Sequence, residues 1–162
     1  MLEAFGYNAQ AFQSCIFDSD IALCHGSKAN KAAHFDHVGQ TARLQSASQI
    51  VRWLSAQRAG GETVILTGDL NTEPGTPPIQ ELTSSALGLR DTYKASQTPH
   101  VGPDGTFNAF VLVPSESRRI DYILASPSIA VENYAVLAWH GEGGRPASDH
   151  FPVIADLNPC GK

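Results

Sequence analysis

Apolar and polar positions follow different rhythms in different parts of the chain, and each rhythm predicts a different element. Over residues 41–57, Ala42, Ala47, Ile50, Val51 and Leu54 recur at helical spacing, with Arg43, Gln45, Gln49 and Arg52 mostly on the other side. Gly60-Gly61 ends that pattern, so a helix is predicted. Residues 63–67 (TVILT) are a short β-branched run that predicts a buried strand. A proline-rich loop follows over 72–78, and 78–87 predicts a short helix. Further on, 106–113, 119–125, 131–138 and 151–157 read as strands separated by segments rich in Pro, Gly and Ser. Residues 1–24 hold only short apolar pieces without sustained period, and 25–33 (HGSKANKAA) reads as a polar loop. Helix, strand, helix and then several strands is the order of a layered α/β or α+β domain, in which ligands bind at strand ends.

Composition narrows the class. With 162 residues the chain holds one domain's worth of core, and 42% hydrophobic against 17% charged residues excludes a disordered chain. No apolar run approaches the ~20 residues of a membrane span. Eleven basic against sixteen acidic residues give a net charge of −5, which argues against a broad nucleic-acid footprint and suits a protein that gathers carboxylates around a cation. Cys15, Cys24 and Cys160 are odd in number and widely spaced, and form neither a zinc pattern nor a disulfide framework. Nothing in the opening residues reads as a secretion signal, which leaves localisation unassigned.

Four polar clusters interrupt the apolar segments: His34-Phe35-Asp36-His37, Gly68-Asp69-Leu70-Asn71, Asp121 within RRIDYIL, and Ser148-Asp149-His150. Asp69 and Asn71, two apart in extended backbone, would project to one face, a carboxylate for a proton or hard cation beside an amide for a phosphate oxygen. An Asx turn closing the strand is the plainer reading. Asp121 lies inside an apolar strand, where a carboxylate needs a partner. Arg118 or Arg119 would serve as a structural partner, whereas a histidine held by Asp121 would act on substrate or water. Asp149-His150 supplies such a histidine, although a surface Asp-His pair is often without function. His34, Asp36 and His37 suggest a transition-metal cluster only weakly, since their spacing is not HExxH and no cysteine is near. His25, His100 and His140 fall in loops and are given no role.

In their order, these segments resemble the endonuclease/exonuclease/phosphatase superfamily, the metal-dependent phosphodiesterases with the DNase I-like fold. The resemblance rests on HFDHVGQTARLQSA (34–47), ILTGDLN (65–71), TFNAF (106–110), RIDYIL (119–124) and SDHFPV (148–153), and spans residues 34–157. It is nearer to bacterial and fungal members with an H-x-D-H-x-G segment than to DNase I itself. The resemblance implies a helix-flanked β-sandwich, here incomplete and lacking its amino-terminal half. Residues 1–33 then form a divergent amino-terminal segment, 34–158 the carboxyl-terminal part of the domain, and 159–162 a tail.

The same resemblance implies phosphoester hydrolysis with Mg²⁺ or Mn²⁺ and an in-line water. Asp69 would position that water, Asn71 would contact phosphate, and His150 would act at the phosphoryl centre. Asp121 would orient His150, His34 would add a phosphate donor, and Asp149 with Asp69 would hold the metal. Thr106 and Asn108 would border the substrate, while Asp36 and His37 would be structural. Substrates of the class include nucleic acids, phospholipids and small phosphate esters. The family's Asn-terminated first strand and metal-binding Glu have no matching pattern; Glu3 is the only glutamate before Glu62. If each half of the fold supplied one sheet, this half would leave an apolar inner face for a second copy to cover, as a homodimer. The rival readings are a truncated, inactive member acting as a binding fragment, and a carboxylate-lined cation module unrelated to hydrolysis.

Overall fold

The structure is a computed structural model that describes residues 13–18, 21–24, 30–58, 63–113, 117–141 and 144–158. Its elements are β1 (Gln13–Asp18), β2 (Ile21–Cys24), β3 (Asn30–Ala32), α1 (Gln40–Arg58), β4 (Ile65–Asp69), α2 (Pro77–Ser84), β5 (Arg90–Asp91), α3 (Thr92–Ala95), β6 (Asp121–Ala125), β7 (Ala130–Val136) and β8 (Val153–Asn158). They form two four-stranded sheets, ordered β2-β1-β8-β7 and β3-β4-β6-β5. All pairings are antiparallel except β3 with β4.

Side-chain alternation along β4 and β6 builds the layers. Ile65, Ile123 and Ala125 pack with Val131, Tyr134 and Val136 of β7 and Val153, Ala155 and Leu157 of β8, forming the core between the sheets. The intervening residues Leu66, Tyr122 and Leu124 face the other way, against Ala47 and Leu54 of α1 and Ile79 and Leu82 of α2. All five positions of β4 and of β6 are buried, as a strand covered on both faces requires.

This arrangement corrects the expectation of one sheet per half. The carboxyl-terminal strands are shared out, with β7 and β8 in one sheet and β4, β5 and β6 in the other. The inner face thought to need a second copy is covered by the chain's own strands. Two local expectations also fail. Residues 30–32 lie in the supposed polar loop, yet they pair with β4 from Asn30↔Ile65 to Ala32↔Thr67; three residues are too few to show a period. Residues 106–113 make only isolated bridges at Phe107, and Ala109 and Phe110 adopt left-handed backbone (φ 52° and 63°). The Asn108 side chain accepts the Phe110 N–H at 2.7 Å, and the N–H groups of Asn108 and Ala109 turn to the Asp149 carbonyl. A side chain and a neighbouring loop thus satisfy donors that a strand would have used. Glu3, His25, Cys160 and the 159–162 tail lie outside the described residues.

Candidate active site

Register places the two key carboxylates together. Asp69 ends β4 and Asp121 begins β6, and the two are directly opposed in the antiparallel pair. Each lies an even number of residues from Ile65 or Ile123, so both occupy the inter-sheet face at one end of the sandwich. Both are buried, at 5% and 1% exposure. Burial pushes the Asp69 carboxyl above its ordinary range; the Asn71 N–H opposes this, while the Asp121 charge adds to it.

His150 completes the group from the segment preceding β8. Its Nδ1–H donates to Asp121 Oδ2 at 2.8 Å, and its Nε2 lies 3.9 Å from Asp69 Oδ2. Phe107 bridges to His150 through the backbone and packs edge-on to its ring, with centroids 5.3 Å apart. Burial works to lower the His150 pKa, but the Asp121 hydrogen bond and charge, joined by Asp69 and Asp149, outweigh it and raise the pKa. The rival arginine partners are engaged elsewhere. Arg119 makes a buried bidentate pair with Asp91 (3.1 and 2.6 Å) and lies 4.6 Å from the ring centres of both Tyr93 and Tyr122. Arg118 pairs with Glu73 at 3.4 Å.

Asn71 adopts a left-handed backbone (φ 48°) rather than continuing the strand. Asp69 Oδ1 accepts the Asn71 N–H at 2.8 Å, which is an Asx turn; Asn71 Nδ2 donates to Asp69 Oδ2 at 3.1 Å and to the Phe35 carbonyl at 3.0 Å. The turn and the polar cluster are therefore one arrangement. His34, which follows β3, reaches Asp69 Oδ2 with Nε2 at 3.5 Å and remains exposed. Close packing makes this possible, since a Cβ at Gly68 would stand 1.8 Å from the Ala33 carbonyl oxygen.

The remaining expected residues fall into two groups. Thr106 and Asn108, expected at the substrate rim, are fully buried. Thr106 Oγ1 accepts the N–H groups of Ile120 and Asp121 at 3.1 Å each, so it fixes the start of β6 from behind the site. Asn108 holds the 108–110 turn, and its Nδ2 is buried without a partner. Asp36 accepts the N–H groups of Val38 (3.2 Å) and Gly39 (2.9 Å) ahead of α1, and His37 lies beside it at 3.8 Å. That is a structural loop. Sequence reasoning missed Phe107 and the Asp91–Arg119 pair; the TFxxF segment was the available signal for the former.

Among the described residues, Asp69, Asp121 and His150 each offer a ligand atom within 4.8 Å of the others. Asp121 Oδ1 is buried with no donor, an acceptor that a hard cation would satisfy. Asp149, half-buried beside His150, is outside this trio, and its backbone carbonyl accepts from Asn108 and Ala109. The donor set is thus oxygen-rich and anionic, and fits a divalent metal.

A two-sheet, helix-covered sandwich with a carboxylate–imidazole centre at its edge defines a class that the comparisons identify. The Endonuclease/Exonuclease/phosphatase family pattern matches residues 8–150, and the chain belongs to that family, whose members are phosphoester hydrolases. A mannosyl-6-phosphatase from Bacteroides thetaiotaomicron is similar at 33% identity and TM-score 0.69, over 78% of this chain and 49% of that one. A protein of unknown function from Enterococcus faecalis is similar at 31% identity and TM-score 0.69, over 78% and 48%. The human Nocturnin catalytic domain shares the fold at 21% identity and TM-score 0.60, over 85% and 50%. No curated protein sequence matches. The chain spans about half the length of the solved relatives it matches.

Proposed function

We propose that this chain carries the phosphate-handling centre of a Mg²⁺- or Mn²⁺-dependent phosphoester hydrolase. The observation that carries the reading is the Asp121–His150 hydrogen bond of 2.8 Å, with the opposite ring nitrogen directed toward Asp69. Asp121 fixes the tautomer and orientation of His150, leaving Nε2 to exchange a proton or donate at the phosphoryl oxygen. Asp69, whose affinity for a proton is raised, orients the attacking water and accepts from it. His34 Nε2 offers a donor to a phosphate oxygen, and Asn71 Nδ2 would join it by exchanging its 3.1 Å bond to Asp69 Oδ2. Asp69 and Asp121, whose Oδ1 is buried without a donor, would hold the metal, with Asp149 as a further carboxylate beside His150. When bound, the metal would supply charge neutralisation for the phosphoryl group, the main demand of this chemistry. Family membership and a phosphatase relative support this reading.

A second reading is that the chain binds phosphate without turnover. Hydrolysis of bis(p-nitrophenyl) phosphate with and without Mg²⁺ separates the two. The expected result is Mg²⁺-dependent turnover that falls by about 10²–10⁴-fold in Asp69→Ala and in His150→Ala. Unchanged rates in both variants would refute the assignment. No turnover with phosphate still bound would favour the binding fragment.

A further inference from the structure

Arg118 stands in line with the candidate centre. Phe107 makes antiparallel bridges to Arg118 on one side and to His150 on the other. Residues directly opposed in antiparallel pairing carry their side chains to one face, so guanidinium, phenyl ring and imidazole form a row. The contacts agree with this register. The Arg118 guanidinium lies 5.6 Å from the centre of the Phe107 ring, and the His150 ring packs edge-on to it with centroids 5.3 Å apart. Arg118 also lines, with Asn71, a cavity of about 410 Å³ between the starts of α1 and α2. A cation is therefore held one aromatic ring away from the histidine of the centre.

The two adjacent arginines differ in what holds them. Arg119 is buried and gives both Nη groups to Asp91. The Arg118 side chain is 41% exposed, and its carboxylate contact runs from Nε to Glu73 at 3.4 Å, with Glu73 itself 56% exposed. An exposed pair of this kind is weak. Among the described residues, no hydrogen bond engages Nη1 or Nη2 of Arg118. That end of the guanidinium is the one that grips an oxyanion through two parallel hydrogen bonds. Asp69, Asp121 and Asp149 make the rest of this edge acidic, so an anion beyond the metal finds its complement at Arg118.

We infer that Arg118 binds a second anionic group of the substrate, a phosphate or carboxylate carried a short spacer away from the ester that is cleaved. The inference rests on the hydrolase reading above, which puts the ester phosphate at His150. Calorimetric titration in Mg²⁺ tests it with phosphonates, whose carbon–phosphorus bond resists hydrolysis: propylphosphonate, propane-1,3-diyl bisphosphonate and 4-phosphonobutanoate. In the wild-type chain at least one of the two-headed probes binds about tenfold or more tightly than propylphosphonate, and the probe that does so identifies the second group. In Arg118→Gln that advantage falls by about fivefold or more while propylphosphonate keeps its affinity, and Arg118→Lys restores part of it. Equal affinity of all three probes in the wild type would overturn the assignment. So would an advantage that survives Arg118→Gln, or a loss in that variant shared equally by propylphosphonate. Failure of all three probes to bind the wild type would overturn the phosphate centre itself, and the Arg118 subsite with it.

Discussion

His150 is held between two carboxylates that have different tasks. Asp121 Oδ2 accepts a hydrogen bond from Nδ1–H at 2.8 Å, and Asp69 lies 3.9 Å from Nε2. The net effect raises the His150 pKa above its ordinary 6.5 even though burial alone would lower it. Because the folded chain binds this proton more tightly than the unfolded chain, the contribution to stability is complete below pH 6.5. It is lost as pH rises through the folded value. Asp69 behaves with the same sign around its own ordinary value of 3.8, its raised folded pKa contributing at low pH and fading as pH climbs. In Asp121→Asn the His150 midpoint, followed by ring-proton NMR, moves down, and the basic-side loss of stability weakens. A midpoint unmoved by that substitution would show that Asp121 does not hold the ring. The residue types of this centre were legible in sequence because GDLN, RIDYI and SDH are compact signatures. Their partners were not: the choice between Arg119 and His150 for Asp121 depends on which side of β6 each reaches, and Asp91, which takes Arg119, lies in a two-residue strand without periodicity.

At the scale of elements, β4 is the organiser. Just before its polar end, Ala33, the residue after β3, comes so close that Gly68 has no room for a side chain. Gly68→Ala should therefore destabilise the fold by at least about 2 kcal/mol in urea titration and displace His34 from Asp69; a wild-type midpoint would contradict this packing. The helix α1 follows from helical spacing, and strands β4 and β6 and the bulk of β7 and β8 from apolar segments bounded by turn-forming residues. The failures have local causes. β3 is a three-residue edge strand specified by backbone pairing, and residues 106–113 are diverted by the Asn108 side chain into a turn. That diversion is useful, since the 106–110 segment then braces Asp121 through Thr106 and His150 through Phe107.

Over the whole molecule, both sheets contribute to one edge, where β4 ends, β6 begins and the segment before β8 lies. Two helices cover the outer face of the β4–β6 sheet, and their starts frame the cavity beside Asn71. Among the described residues no helix is long and apolar enough to cross a membrane. The acidic balance of the chain and the burial of two opposed carboxylates make a bound cation the natural complement of this edge. The most direct measurement is a crystal structure of the chain soaked with inorganic phosphate and Mn²⁺, read through the anomalous signal of the metal. Phosphate is expected within hydrogen-bond reach of His34 and His150, with an anomalous peak against Asp69 and Asp121. Phosphate and metal lodged elsewhere, with the Asp69–Asp121–His150 edge holding neither, would contradict that placement.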